Sequence, residues 1–142
     1  MIAKSFALTA AFASLSVAAE ACSCLPPKTV SEKVGGADHV FVGVAEETLR
    51  IATEGDERGS SGYVTSFKIT QAYKGASGAR IYVRHPSEFS SCKVSFEPGE
   101  ERLVFASDGT DYFPATNACA LHGYTRYGQN VRTALEATQS PE

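Results

Sequence analysis

The stretch Ala21-Cys22-Ser23-Cys24-Leu25-Pro26-Pro27 joins a processing signal, two cysteines one residue apart, and a stiff proline exit. Only Cys92 and Cys119 remain as partners for that pair. Two cysteines in one short extended segment can each anchor to a different distant part of a fold, while the prolines keep a helix from starting there. The expectation is a clamped N-terminal segment around which the rest of the chain is arranged.

The residues before this stretch explain why it forms a terminus. Lys4 is the only charge before Glu20, and Phe6 to Ala19 is apolar or small throughout. Ala19-Glu20-Ala21 then offers small residues at the two positions a signal peptidase inspects. A spanning helix needs about 18 to 20 apolar residues, more than this segment supplies, so no stable membrane insertion is expected after cleavage. Residues 1–21 therefore read as a signal peptide, and residues 22–142 as one exported domain, extracellular or periplasmic. A lipid-modified Cys22 is the lesser alternative, because Ala19 and Glu20 are unusual immediately before such a cysteine.

Removing Lys4 and Glu20 together leaves the formal charge at −3. A slightly acidic chain without a dense Lys/Arg run has no nucleic-acid footprint. Four cysteines, an even count, suit an oxidising compartment. A Cys22–Cys24 bridge would close too small a ring and leave the terminus unheld, so Cys22–Cys92 with Cys24–Cys119 is the favoured pairing.

Outward from the clamp, Thr29 to Ala37 has room for a helical turn or two before Gly35-Gly36 stops it. Asp38 to Glu46 is rich in β-formers and predicts the first core strand, extending as far as Ile51, with Gly43 marking a bulge or bend. A polar, mobile loop fills Glu47 to Gly62. Tyr63 to Tyr73 alternates as a half-buried strand, with Tyr63, Thr65, Phe67, Ile69 and Tyr73 toward the core. Ala79 to His85 and Arg102 to Ala106 predict two more strands, and Tyr112 to Leu121 a short return strand carrying Cys119, its ladder limited by Pro114. Gln129 to Thr138 has a helical pattern. The aromatics Phe67, Tyr73, Tyr82 and Phe105 read as core rather than as a base-stacking platform. Short strands with regular turns indicate a small closed or partly open antiparallel barrel. An immunoglobulin-like sandwich is the runner-up, but it wants more strands and a tryptophan, which this chain lacks.

Enzyme signatures are absent from the sequence. His39, His85 and His122 form no metal-binding spacing, and there is no Gly-x-Ser-x-Gly, phosphate loop or His-Glu-x-x-His. Cys92 in Ser90-Ser91-Cys92 reads as an oxidised cysteine rather than a nucleophile. The expectation is a non-enzyme with no cofactor and no intrinsic metal.

Cys22-Ser23-Cys24-Leu25-Pro26-Pro27 after a signal peptide resembles the start of a tissue inhibitor of metalloproteinases. Asp38-His39-Val40-Phe41-Val42-Gly43, Tyr63 to Gly75, Ile81 to Cys92, Glu101 to Ala106 and Thr116-Asn117-Ala118-Cys119 extend the resemblance across the netrin-like, or inhibitor N-terminal, domain. It implies an all-β, five-stranded OB-fold-like antiparallel barrel with short flanking helices, and the same pairing of Cys22 with Cys92 and Cys24 with Cys119. With four cysteines, the chain lacks the third bridge of that domain in the animal inhibitors.

The resemblance also implies a mechanism and a partner, a zinc metallopeptidase met by a monomer. The freed α-amine and the carbonyl oxygen of Cys22 would chelate the protease's catalytic zinc and displace its nucleophilic water. Ser23, Cys24, Leu25 and Pro26 would follow along the cleft, and Glu88, Phe89, Ser90 and Ser91 would form the second edge of the inhibitory ridge. Each residue has a plainer role beside this one: the cysteines as staples, Ser23 as a fit to a crowded corner, Leu25 as a core cap, Pro26 as a helix stop and Phe89 as a buried connector. The alternative function is a non-inhibitory netrin-like protein-binding module.

Overall fold

The structure is a computed structural model that describes residues 22–24, 29–57, 61–121, 129–137 and 139. The proposed signal peptide, Leu25, Pro26 and His122 lie outside the described residues. In chain order the elements are α1 (Val30–Gly36), β1 (His39–Arg50), β2 (Tyr63–Lys74), β3 (Arg80–His85), β4 (Glu101–Ala106), α2 (Ala118–Leu121) and α3 (Gln129–Ala137). Among the described residues no helix is long and apolar enough to cross a membrane.

The strands form one antiparallel sheet in the order β3-β2-β1-β4. Strand alternation sends successive side chains of β1 to opposite faces, and both faces are buried in its first half. Phe41 and Ala45 join Phe67, Val83, Val104, Ala106 and Phe96 on one side. Val40 and Val42 join Ala37, Leu103, Phe105 and Leu135 on the other, where Val30 and Val34 of α1 also pack. The layers are thus helices, sheet, and the chain segment that carries Phe96. Phe67 is the hub of the first of these clusters, meeting Phe41 edge-on at 5.7 Å and Phe96 at 4.9 Å between ring centroids.

Local chemistry sets the ends of these elements. Thr29 and Glu32 form a capping box at the start of α1, each side chain accepting from the other residue's backbone N–H. The β1–β2 register slips between Val42 and Gly43. A Cβ added at Gly43 would lie 3.1 Å from the Lys68 carbonyl oxygen and from Phe67 Cβ, so a close approach of β2 favours glycine there. The register slips again opposite Val40 and Phe41, which face Lys74 and Ala72. Tyr73 is the extra residue of that bulge, and the change of parity turns it onto the helix side, away from Phe67.

The expected five-stranded barrel is corrected by this topology: among the described residues the sheet has four strands and is not closed into a barrel. The OB-type, netrin-like fold implied by the resemblance does not match it, and the inhibitor assignment draws no support from the fold. The difference lies in residues 112–121. Pro114 has no N–H to donate, and pairing there is limited to single bridges from Ala115 to Arg84 and to Ser107. Two residues later the Asn117 side chain accepts from the Ala120 N–H at 2.9 Å and starts α2. Cys119 therefore sits on a helical turn rather than a return strand. Tyr82 is a second correction: it is exposed, not core, because Ile81, Val83 and His85 take the inward positions of β3.

Phe67→Ala should lower unfolding stability by about 3–5 kcal/mol, read from the urea midpoint, because it empties the centre of the ring cluster. The fully exposed Tyr112 is the control, and its replacement by alanine should change stability by no more than about 0.5 kcal/mol.

Candidate functional site

The clamp is built from the termini of three segments. Cys22 is bonded to Cys92 and Cys24 to Cys119, with Cα separations of 5.1 and 5.2 Å. These bridges close sequence separations of 70 and 95 residues. In the chain-entropy account each is worth about 4 kcal/mol, without being additive. The two anchors are joined to each other as well, since the Ala118 N–H donates to the Cys92 carbonyl at 3.0 Å. Cys22 Sγ and Cys119 Sγ lie 3.4 Å apart without being bonded, and the sulfurs of Cys22, Cys24 and Cys119 fall within 4.8 Å of one another. All four cysteines are oxidised, so these sulfurs are not thiolate ligands for a metal.

Held between the two bridges, Ser23 is exposed. Cys92 lies at the end of a turn in which the Ser90 N–H donates to the Ser87 carbonyl at 3.0 Å and the Cys92 N–H to Ser90 Oγ at 3.2 Å. Ser90 is half-buried by this role, whereas Glu88 and Ser91 are exposed. Phe89 is 66% exposed, which excludes its reading as a buried connector. The Glu88 carboxylate accepts from the Tyr63 hydroxyl, which holds the Glu88 carboxyl below the usual range and pushes the Tyr63 phenol up. The structure thus brings Cys22, Ser23 and Cys24 to the turn that ends in Cys92, while Leu25 and Pro26 of the expected ridge lie outside the described residues.

Behind that turn is a polar group that the sequence reading did not assign. His85 is 3% exposed, and its Nε2 is 2.7 Å from Thr65 Oγ1, itself 2.7 Å from Thr48 Oγ1. The imidazole stacks on Tyr63 at 5.8 Å and meets Phe96 edge-on at 5.1 Å. Burial holds His85 below its ordinary pKa, partly offset by the backbone of Val94 and Pro86 that faces it. Its Nδ1 has no partner in hydrogen-bond geometry. The signal in the sequence was parity: His85 shares the inward phase of Ile81 and Val83, so it continues a buried face.

No protein-family model matches this chain, and no curated protein matches it. The arrangement of the clamp and its turn is therefore read from its own geometry.

A neutral buried histidine makes stability depend on pH in a definite direction. Its folded pKa lies below the unfolded value of about 6.5, so between the two the unfolded chain binds a proton that the folded chain does not. The contribution is fully present above about pH 6.5 and is lost as pH falls from there through the folded pKa, at no more than about 1.4 kcal/mol per pH unit. Urea midpoints measured from pH 8 down to pH 5 should fall more steeply for the native chain than for His85→Leu.

Proposed function

We propose that the clamped Cys22-Ser23-Cys24 segment is an inhibitory edge directed at the active-site cleft of a zinc metallopeptidase, in a protein exported and cleaved after Ala21. The observation that carries this reading is the double anchorage: residues 22 and 24 are bonded to two different segments, with the exposed Ser23 between them. A terminus fixed on both sides of one residue loses little conformational freedom on binding, and it cannot thread onward through a cleft as a substrate would. The reading rests on the clamp alone and not on the architecture of the sheet.

Once freed by cleavage, the α-amine of Cys22 has a reference pKa of about 7.7, and zinc competes with its proton for the lone pair. Amine and carbonyl oxygen then close a five-membered chelate and displace the water that the peptidase uses as nucleophile. Ser23 offers a small side chain to the adjoining pocket. Exposed Phe89 and Ser91 lie on the turn that holds Cys92, and they supply the flanking contact. The second reading, a protein-binding module without inhibition, uses the same exposed turn and needs no free amine.

Residues 22–142 with the native amine exposed should inhibit a zinc metallopeptidase in a panel assay, and the same protein with one alanine added before Cys22 should not. The extension leaves both bridges in place but replaces the primary amine with an amide. Inhibition retained by the extended protein would sink the chelation mechanism, and specific binding retained without inhibition would favour the second reading. Ser23→Arg should weaken inhibition by at least about tenfold where the adjoining pocket is shallow or apolar.

A further inference from the structure

A cavity of about 650 Å³ lies on the Phe67 side of the sheet, under the segment that runs from Pro86 to Phe96. Its size falls within the range of small-molecule sites. Thr48, Tyr63 and His85 supply one wall, Pro86, Val94 and Phe96 an apolar one, and Glu88, Lys93, Ser95 and Arg102 the charged and polar remainder. These residues come from all four strands and the crossing segment, so the cavity belongs to the whole fold.

Its charges are unevenly satisfied. Glu88 is occupied by the Tyr63 hydroxyl. Arg102 donates from Nη1 to Glu100 at 2.6 Å and lies 5.6 Å from the centre of the Phe96 ring, but its buried Nε has no acceptor. A guanidinium carries five N–H donors in a planar fork, more than the bond to Glu100 uses, and Arg102 lines the cavity. Lys93 is exposed and lines the same cavity. Two cations, Lys93 and Arg102, therefore line a site with aromatic walls, Arg102 already paired with Glu100 and Glu88 engaged by Tyr63.

We propose that this cavity is a binding site for a small monoanionic carboxylate with an aromatic or apolar body. Lys93 and Arg102 receive the carboxylate, and Phe96, Val94 and the Tyr63 ring enclose the body. The group is distinct from the Cys22 edge and does not rest on metallopeptidase inhibition. The segment between Pro86 and Phe96 that borders the cavity also carries exposed Phe89 and the clamp cysteine Cys92.

The test uses the oxidised protein with both bridges intact, phenylacetate as the probe and phenylacetamide as its uncharged match. Histidine ring resonances are followed by NMR, with His39 as the internal control because it does not line the cavity. Phenylacetate should shift His85 saturably and leave His39 in place. Phenylacetamide, and phenylacetate with Lys93→Met, should each bind at least about tenfold more weakly, as expected for the loss of one charge-assisted contact. Lys93→Arg should restore binding. The proposal is overturned if His85 shows no saturable shift up to about 10 mM probe, a range that covers the weakest useful affinities, if acid and amide bind alike, or if Lys93→Met, verified as folded by its urea midpoint, binds as the native chain does.

Discussion

The central position of β1 is the constraint on which the other elements depend. It pairs with β2 along one edge and β4 along the other, and its first half is buried on both faces. A strand so placed must satisfy two packing surfaces at once, which the alternation of Val40, Phe41, Val42 and Ala45 does. One surface recruits α1 and Leu135 of α3. The other recruits Phe96, and with it the segment that carries Cys92. The bulges along β1 and β2 adjust this alternation locally, turning Tyr73 to the helix side without disturbing Phe67.

From that constraint follows the placement of the clamp. Phe96 packs against Phe67 and His85, so the chain between Pro86 and Phe96 must cross one end of the sheet. Cys92 and Cys119 are brought together there by the Ala118 to Cys92 backbone hydrogen bond, and the two bridges then fix Cys22 and Cys24 over the junction. The same crossing segment presents Phe89 and Ser91 outward and encloses the His85 side of the cavity. The exposed turn and one wall of the cavity thus belong to a single piece of chain.

Electrostatics divide the site in a comparable way. Outside, Glu88 is kept ionised by the Tyr63 hydroxyl. Inside, His85 is kept neutral by burial and tied through Thr65 to Thr48. The effect of His85 is therefore felt as stability that falls when acid forces a proton onto a group the solvent hardly reaches.

Strand positions were legible in the sequence because they depend on local alternation: the segments at 38–46, 63–73, 79–85 and 102–106 all match observed strands, and the helix at Gln129 follows from a 3.6-residue period, while the turn or two expected after Thr29 from composition is α1, whose capping box only the structure shows. That Cys22 and Cys24 each bond a distant cysteine was also legible, since the two are too close to bond each other, but which of them takes Cys92 and which Cys119 is decided by the fold. Closure of the sheet was not. It depended on whether residues 112–121 would complete a ladder, and there Pro114 removes a donor while Asn117 caps a helical turn, a contest between local hydrogen bonds and long-range pairing that strand pattern does not decide. Nor did the sequence reveal the His85 cavity, because Thr48, Tyr63, His85, Phe96 and Arg102 are far apart in the chain and become neighbours only when four strands and a crossing segment share one buried face.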